Sequence, residues 1–152
     1  MAAPLPFSES ELRLLQVLLK RKVRFMVIGL SVVTQDIDLW FENLGEPKFS
    51  QALQEIGAAY VPPSINNPPM LAGTGAELFD IVIRMDGLGT FADEFKNSVE
   101  IPLGRQKLKV LSLERILASK IAANRAKDKL TIPVLRDALV ATQSMKRRQK
   151  KK

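Results

Sequence analysis

The sequence contains no cysteine and no histidine. Without cysteine the chain cannot form disulfides, thiolate metal sites or a cysteine nucleophile, and this composition is compatible with a reducing cytoplasm. Without histidine it cannot form a Ser-His-Asp triad, a histidine-ligated zinc site or a histidine general base. Any catalysis would therefore depend on carboxylates, Lys, Arg, Ser, Thr or Tyr, together with a metal that prefers oxygen ligands.

Long apolar runs are absent as well. No segment approaches the ~20 apolar residues of a membrane-spanning helix, and the start, MAAPLPFSESE, lacks the basic-then-apolar order of a signal peptide. We therefore expect a cytoplasmic protein with no membrane partner.

Positive charge is concentrated at the end of the chain. The net charge is +7, and residues 146–152, KRRQKKK, contribute six positive charges, which leaves +1 for residues 1–145. We predict one domain over residues 1–145 and a disordered basic tail over 146–152, because like charges repel and nothing apolar interrupts them. The tail is either a solvated or artificial extension, or a segment that attracts RNA through its phosphates.

Hydrophobic periodicity predicts the order helix, strand, strand, helix, strand, hairpin, helix, helix, which favours an α+β fold with a small mixed sheet and a C-terminal helical pair. Ser8 and Glu11 form a capping-box pattern at the first helix. The stretch VPPSINNPPMLAGTGAE predicts a loop, because it contains four prolines. The hairpin is predicted around Gly104 and Arg105, and the last helix is predicted with Pro133 in its first turn.

Three aspartates interrupt strand-forming segments. Asp36 and Asp38 lie in TQDIDLWF, where period two places them on one face of a strand, and Asp80 lies in LFDIVIR. Two carboxylates so close repel one another unless a cation lies between them, and Mg²⁺ prefers carboxylates combined with phosphates and water. If the two strands are neighbours, three carboxylates converge on a site suited to phosphoryl or nucleotidyl transfer. The alternative is that they mark the wet face of a half-exposed sheet.

The chain contains, in this order, the segments VIGLS, TQDIDLWF, LFDIVIR and VLSLERILASKIAANRAKDKLTIPVLRDAL. Together these four segments resemble the polymerase-beta-like nucleotidyltransferase superfamily, especially its small antitoxin-like and AbiE-toxin-like members. The resemblance spans about residues 10 to 140. It implies transfer of a nucleoside monophosphate from a nucleoside triphosphate to a hydroxyl acceptor on a protein, RNA or small molecule, with Mg²⁺ or Mn²⁺ as cofactor.

The resemblance also implies residue roles. Asp36 and Asp38 would hold the metals, and Asp80 would be a third ligand or the base that activates the acceptor hydroxyl. Gly29 would let the backbone approach the phosphates, whereas Ser31 and Lys120 would contact them. Structural alternatives remain for these and neighbouring residues: Gly29 as a turn, Ser31 as a cap, Lys120 as a solvated helix residue, Arg125 and Asp128 as an ion pair, and Trp40 and Phe41 as core.

The chain departs from the family pattern in two places. Leu30 replaces the second Gly or Ser, and four residues separate Ser31 from Asp36, where the family has a helix facing the triphosphate. Two helical turns alone need about seven residues. Either the sequence lacks a segment between Ser31 and Val32, or the connection is truly short, or the two strands form an ordinary hairpin. The alternative to an enzyme is therefore a catalytically inactive binding or antitoxin-type module that acts on a protein partner.

Overall fold

The structure, a computed structural model, describes residues 7–30, 37–73, 76 and 79–150. In this part of the chain it contains five helices and seven strands, so the predicted α+β class is confirmed. The helices are α1 (Glu9–Lys20), α2 (Pro47–Glu55), α3 (Phe91–Lys96), α4 (Leu113–Ala123) and α5 (Ala126–Lys150). The strands are β1 (Phe25–Leu30), β2 (Ile37–Phe41), β3 (Ala59–Val61), β4 (Met70–Ala72), β5 (Phe79–Val82), β6 (Val99–Leu103) and β7 (Gln106–Val110). Among the described residues, no helix combines the length and apolarity needed to cross a membrane.

All seven strands belong to one mixed sheet with the order β3-β4-β5-β2-β1-β7-β6. The pairs β2/β5 and β1/β7 are parallel, and the other four are antiparallel. The prediction of a small sheet is wrong, because β3 and β4 add a hairpin that the sequence did not reveal. Its proline-rich part, residues 62–69, forms the connection between the two strands, and the strands themselves contain no proline.

The sheet carries a hydrophobic core on each face. On one face, β-strand side chains such as Leu39 and Phe41 pack with α1 and α2, and the shared cluster includes Leu14 and Phe49. On the other face, Met26, Ile28 and Trp40 pack with residues from α3 and α4. Because successive strand residues point to opposite faces, one strand supplies both cores.

The helix ends follow the sequence signals closely except in α5. The capping box of Ser8 and Glu11 is present at α1, and the Ser112 side chain caps α4. The prediction for Pro133 is wrong: α5 begins at Ala126, so Pro133 lies inside the helix. Its missing N–H leaves one helical hydrogen bond unmade. The helix also continues to Lys150, where charge repulsion predicted a disordered tail, since Lys, Arg and Gln are good helix formers.

Candidate functional site

Two of the three predicted carboxylates lie side by side on the sheet. In the parallel pair β2/β5, Asp38 is directly opposite Asp80. Neighbouring strands are about 4.8 Å apart, so two side chains in register project from the same face of the sheet. They are close enough for one small cation to contact both. Asp80 is exposed and Asp38 is half-buried. The two acidic strands are therefore neighbours, which is the condition on which the convergence of their carboxylates depends.

The backbone of Gly29 flanks this pair on its other side. In the antiparallel pair β1/β2, Gly29 is opposite Asp38, after an irregularity in the register that follows Val27. Asp80, Asp38 and Gly29 therefore form a row across three adjacent strands. Ser31 and Asp36 lie outside the described residues, so the convergence of three carboxylates stays a prediction.

Trp40 fixes the strands that position the two aspartates. Its side chain is 3% exposed, and its Nε1 donates to the carbonyl oxygen of Ile83 at 3.2 Å, directly after β5. Its ring meets that of Phe91 edge-on, with centroids 5.7 Å apart. This hydrogen bond joins β2 to the chain beyond β5 and so supports the register of Asp38 with Asp80. Trp40 and Phe41 are core residues, as predicted.

The chemistry of the carboxylate pair is compatible with a hard divalent cation. Two carboxylates on one face, one of them exposed, leave space for water and phosphate oxygens, which Mg²⁺ usually retains as ligands. Mn²⁺ accepts the same ligands. Within the described ranges, no group of three or more acidic residues is close enough to hold a metal. Asp36, which would be the third member, is not among those residues.

Lys120 joins an ion-pair cluster at the junction of α4 and α5. Its Nζ lies 3.6 Å from Oδ1 of Asp128, whose side chain is fully buried. Oδ2 of Asp128 accepts from the Arg125 backbone N–H at 3.1 Å and from Arg125 Nε at 2.8 Å. Hydrogen bonding from Arg125, above all other effects, lowers the pKa of the Asp128 carboxyl. For Arg125 and Asp128 the structural alternative, an ion pair, is the one observed, and Lys120 has a structural partner in the same cluster.

A second buried carboxylate, Glu94, was not predicted from the sequence. It is 3% exposed, and its two oxygens accept from Nε and Nη2 of Arg115, both at 2.8 Å. Oε2 also accepts from the backbone N–H of Gly89 at 3.0 Å. The Arg115 hydrogen bonds are the main cause of a lowered pKa for Glu94. This ion pair joins α3 to α4. Its partners lie 21 residues apart, so no local pattern indicates it.

No protein-family model matches the chain, and no curated protein or solved structure is significantly similar to it. Functional inference therefore depends on the residues themselves, and above all on the row formed by Asp80, Asp38 and Gly29.

Proposed function

We propose that the chain is a metal-dependent nucleotidyltransferase with its site at Asp38 and Asp80. The observation that carries the proposal is the direct register of these two carboxylates on one sheet face, beside the backbone of Gly29. A half-exposed sheet tolerates isolated carboxylates on its wet face. Two carboxylates placed directly opposite each other on one face repel one another. A bound cation offsets this repulsion.

Asp38, Asp80 and Asp36 would hold the cation, which would neutralise the charge on the triphosphate and on the leaving pyrophosphate. The acceptor hydroxyl oxygen forms a bond to the α-phosphorus. The bond from that phosphorus to the bridging oxygen breaks, and pyrophosphate leaves with the electron pair. Asp80 is the more exposed carboxylate of the pair, so it is better placed than Asp38 to take the hydroxyl proton.

The substrates are a nucleoside triphosphate and a hydroxyl on a protein, RNA or small molecule. The test incubates the protein with labelled nucleoside triphosphates and Mg²⁺ or Mn²⁺, in the presence of cell extract as a source of acceptors. Asp38→Asn combined with Asp80→Asn preserves side-chain size and removes both charges. Labelling should fall to background in this variant and persist in Asp137→Asn, an exposed carboxylate on α5. Transfer that survives the double substitution would contradict the proposal.

One observation favours a second candidate, a catalytically inactive binding module with a protein partner. Leu30 is the register partner of Ile37, so residues 31–36 must connect two adjacent antiparallel strands. Six residues cannot also form a helix whose N-terminus binds a triphosphate, since two turns need about seven. This candidate predicts no metal-dependent nucleotide binding. Micromolar affinity for a triphosphate that requires Mg²⁺ would count against it.

A further inference from the structure

A cleft of about 290 Å³ opens on the face of the sheet that α1 covers. It lies between α1, the end of α2 and the turn that joins β6 to β7. Asp38 and Asp80 share the face of Trp40, on the opposite side of the sheet. The volume is just below the range of roughly 300–1,000 Å³ that is usual for small-molecule sites, so only a small ligand fits. The cleft is therefore separate from the candidate active site.

Three cations line this cleft: Arg13, Lys20 and Arg105. In the described part of the chain none of the three forms an ion pair. Glu55 also lines the cleft, but its carboxylate already binds Arg21, with Nη2 and Oε1 3.1 Å apart. The positive charge of the lining is therefore not balanced by the acidic residue beside it.

The cations come from two sides of the cleft, and buried apolar residues lie between them. Arg13 and Lys20 are seven residues apart on α1, which places them two turns, or about 10 Å, apart along one stripe. Between them lies Val17, 8% exposed, and Leu103 of the hairpin is 4% exposed beside it. Arg105 comes from the hairpin turn on the opposite wall. An anion placed in the cleft could therefore meet donors from both sides.

We propose that this cleft binds a small oxyanion with at least two negative charges. Like charges gathered around one concavity repel each other and raise the local concentration of anions. Two arginines provide fork-shaped donors that fit phosphate and carboxylate oxygens. The inference is independent of the proposed transferase activity, because it uses neither a metal nor the two aspartates.

The experiment is a calorimetric titration of the full chain with pyrophosphate and, separately, with citrate, at low ionic strength and with a metal chelator present. We expect saturable one-to-one binding of at least one of them. The two arms distinguish a phosphate ligand from a carboxylate ligand. Absence of saturable binding of both would overturn the proposal.

Variants decide whether the binding is local. Arg13→Gln with Arg105→Gln should weaken binding about tenfold or more, since it removes two charge-assisted contacts. Arg84→Gln with Lys96→Gln removes the same total charge from exposed positions elsewhere and should leave the affinity within about twofold. Equal weakening by both pairs would mean non-specific attraction to net charge and would overturn the site.

The same titration of the Asp38→Asn, Asp80→Asn protein separates this inference from the proposed function. Unchanged pyrophosphate affinity in that variant supports an independent site, whereas a large loss would assign the binding to the carboxylate face and overturn the inference. Circular dichroism of each cleft variant should show an unchanged melting temperature, because the substituted cations are exposed.

Discussion

Replacing Asp128 should destabilise the junction of α4 and α5 by an amount that depends on the substitute. Its carboxylate is fully buried and accepts the Arg125 backbone N–H, so it satisfies a free donor at the start of α5. Such an acceptor contributes about 0.5–2 kcal/mol. Its charge near the helix N-terminus contributes about 0.3–1 kcal/mol. The pair with the half-exposed Arg125 side chain contributes about 0.2–1 kcal/mol.

Asp128→Ala removes all three contributions, and we expect it to lower the free energy of unfolding by about 2–3 kcal/mol. Asp128→Asn keeps an oxygen that can accept the backbone N–H, so its cost should be about 1 kcal/mol. For a chain of this size each kcal/mol lowers the melting temperature by about 2–4 °C. Asp137→Asn, an exposed carboxylate on the same helix, should change stability by less than about 0.5 kcal/mol.

Urea unfolding gives the global stability of these variants, and hydrogen exchange at the start of α5 reports local opening. Hydrogen exchange is needed because α5 packs chiefly on α4 and can open locally while the sheet stays folded. Equal losses for Asp128→Ala and Asp128→Asn would contradict this prediction, because they would show that the backbone acceptor contributes nothing. A loss below about 0.5 kcal/mol in both readouts would refute it as well.

Three further predictions concern the pH dependence of the Asp128 contribution and two other parts of the fold. Lowering the pH should abolish the difference in the free energy of unfolding between wild type and Asp128→Asn. The pKa of Asp128 is lower in the folded chain than in the unfolded chain. Its contribution to stability is therefore complete above the unfolded pKa of about 4 and is lost as pH falls through the folded pKa. Glu94→Gln should lower the free energy of unfolding at neutral pH by about 1.5–3 kcal/mol, measured by urea unfolding, because it breaks charged hydrogen bonds to Arg115; a loss no larger than that of Asp137→Asn would contradict this. Gly57→Ala and Gly87→Ala both place a side chain at φ +74°, which costs about 1–2 kcal/mol. Gly87→Ala should cost about 1–3 kcal/mol more, because its Cβ would lie 2.5 Å from that of Ala122, and equal melting temperatures of the two variants would contradict the steric argument.

The carboxylate pair was predictable because strand periodicity is local. Alternation alone places Asp38 and Trp40 on one face of the strand and Leu39 on the other. Asp80 was a candidate because it interrupts a second, otherwise apolar strand. The helix signals were equally local, as the capping box of α1 shows. Strand order depends on contacts between distant segments, so the sequence could suggest that the strands of Asp38 and Asp80 are neighbours but could not fix their register.

The elements that the sequence did not reveal are those held by distant contacts. Strand β3 has three residues and pairs with β4 across a proline-rich connection, so no run of alternating residues marks either one. Glu94 is buried, and its main partner, Arg115, comes from another helix. The cations of the cleft come from α1 and from a hairpin nearly a hundred residues later. In each case tertiary packing, rather than local propensity, decides the position.

The most direct test of the central claim is a titration with Mn²⁺ followed by electron paramagnetic resonance, which measures the free cation. The wild-type chain should bind Mn²⁺. It should bind Mn²⁺ more tightly when a nucleoside triphosphate is present, beyond the binding of Mn²⁺ by the nucleotide alone. Asp38→Asn with Asp80→Asn should weaken this binding about tenfold or more, whereas Asp137→Asn should not. Binding of the same strength in the double variant, or no binding by the wild-type chain, would contradict a metal site at Asp38 and Asp80.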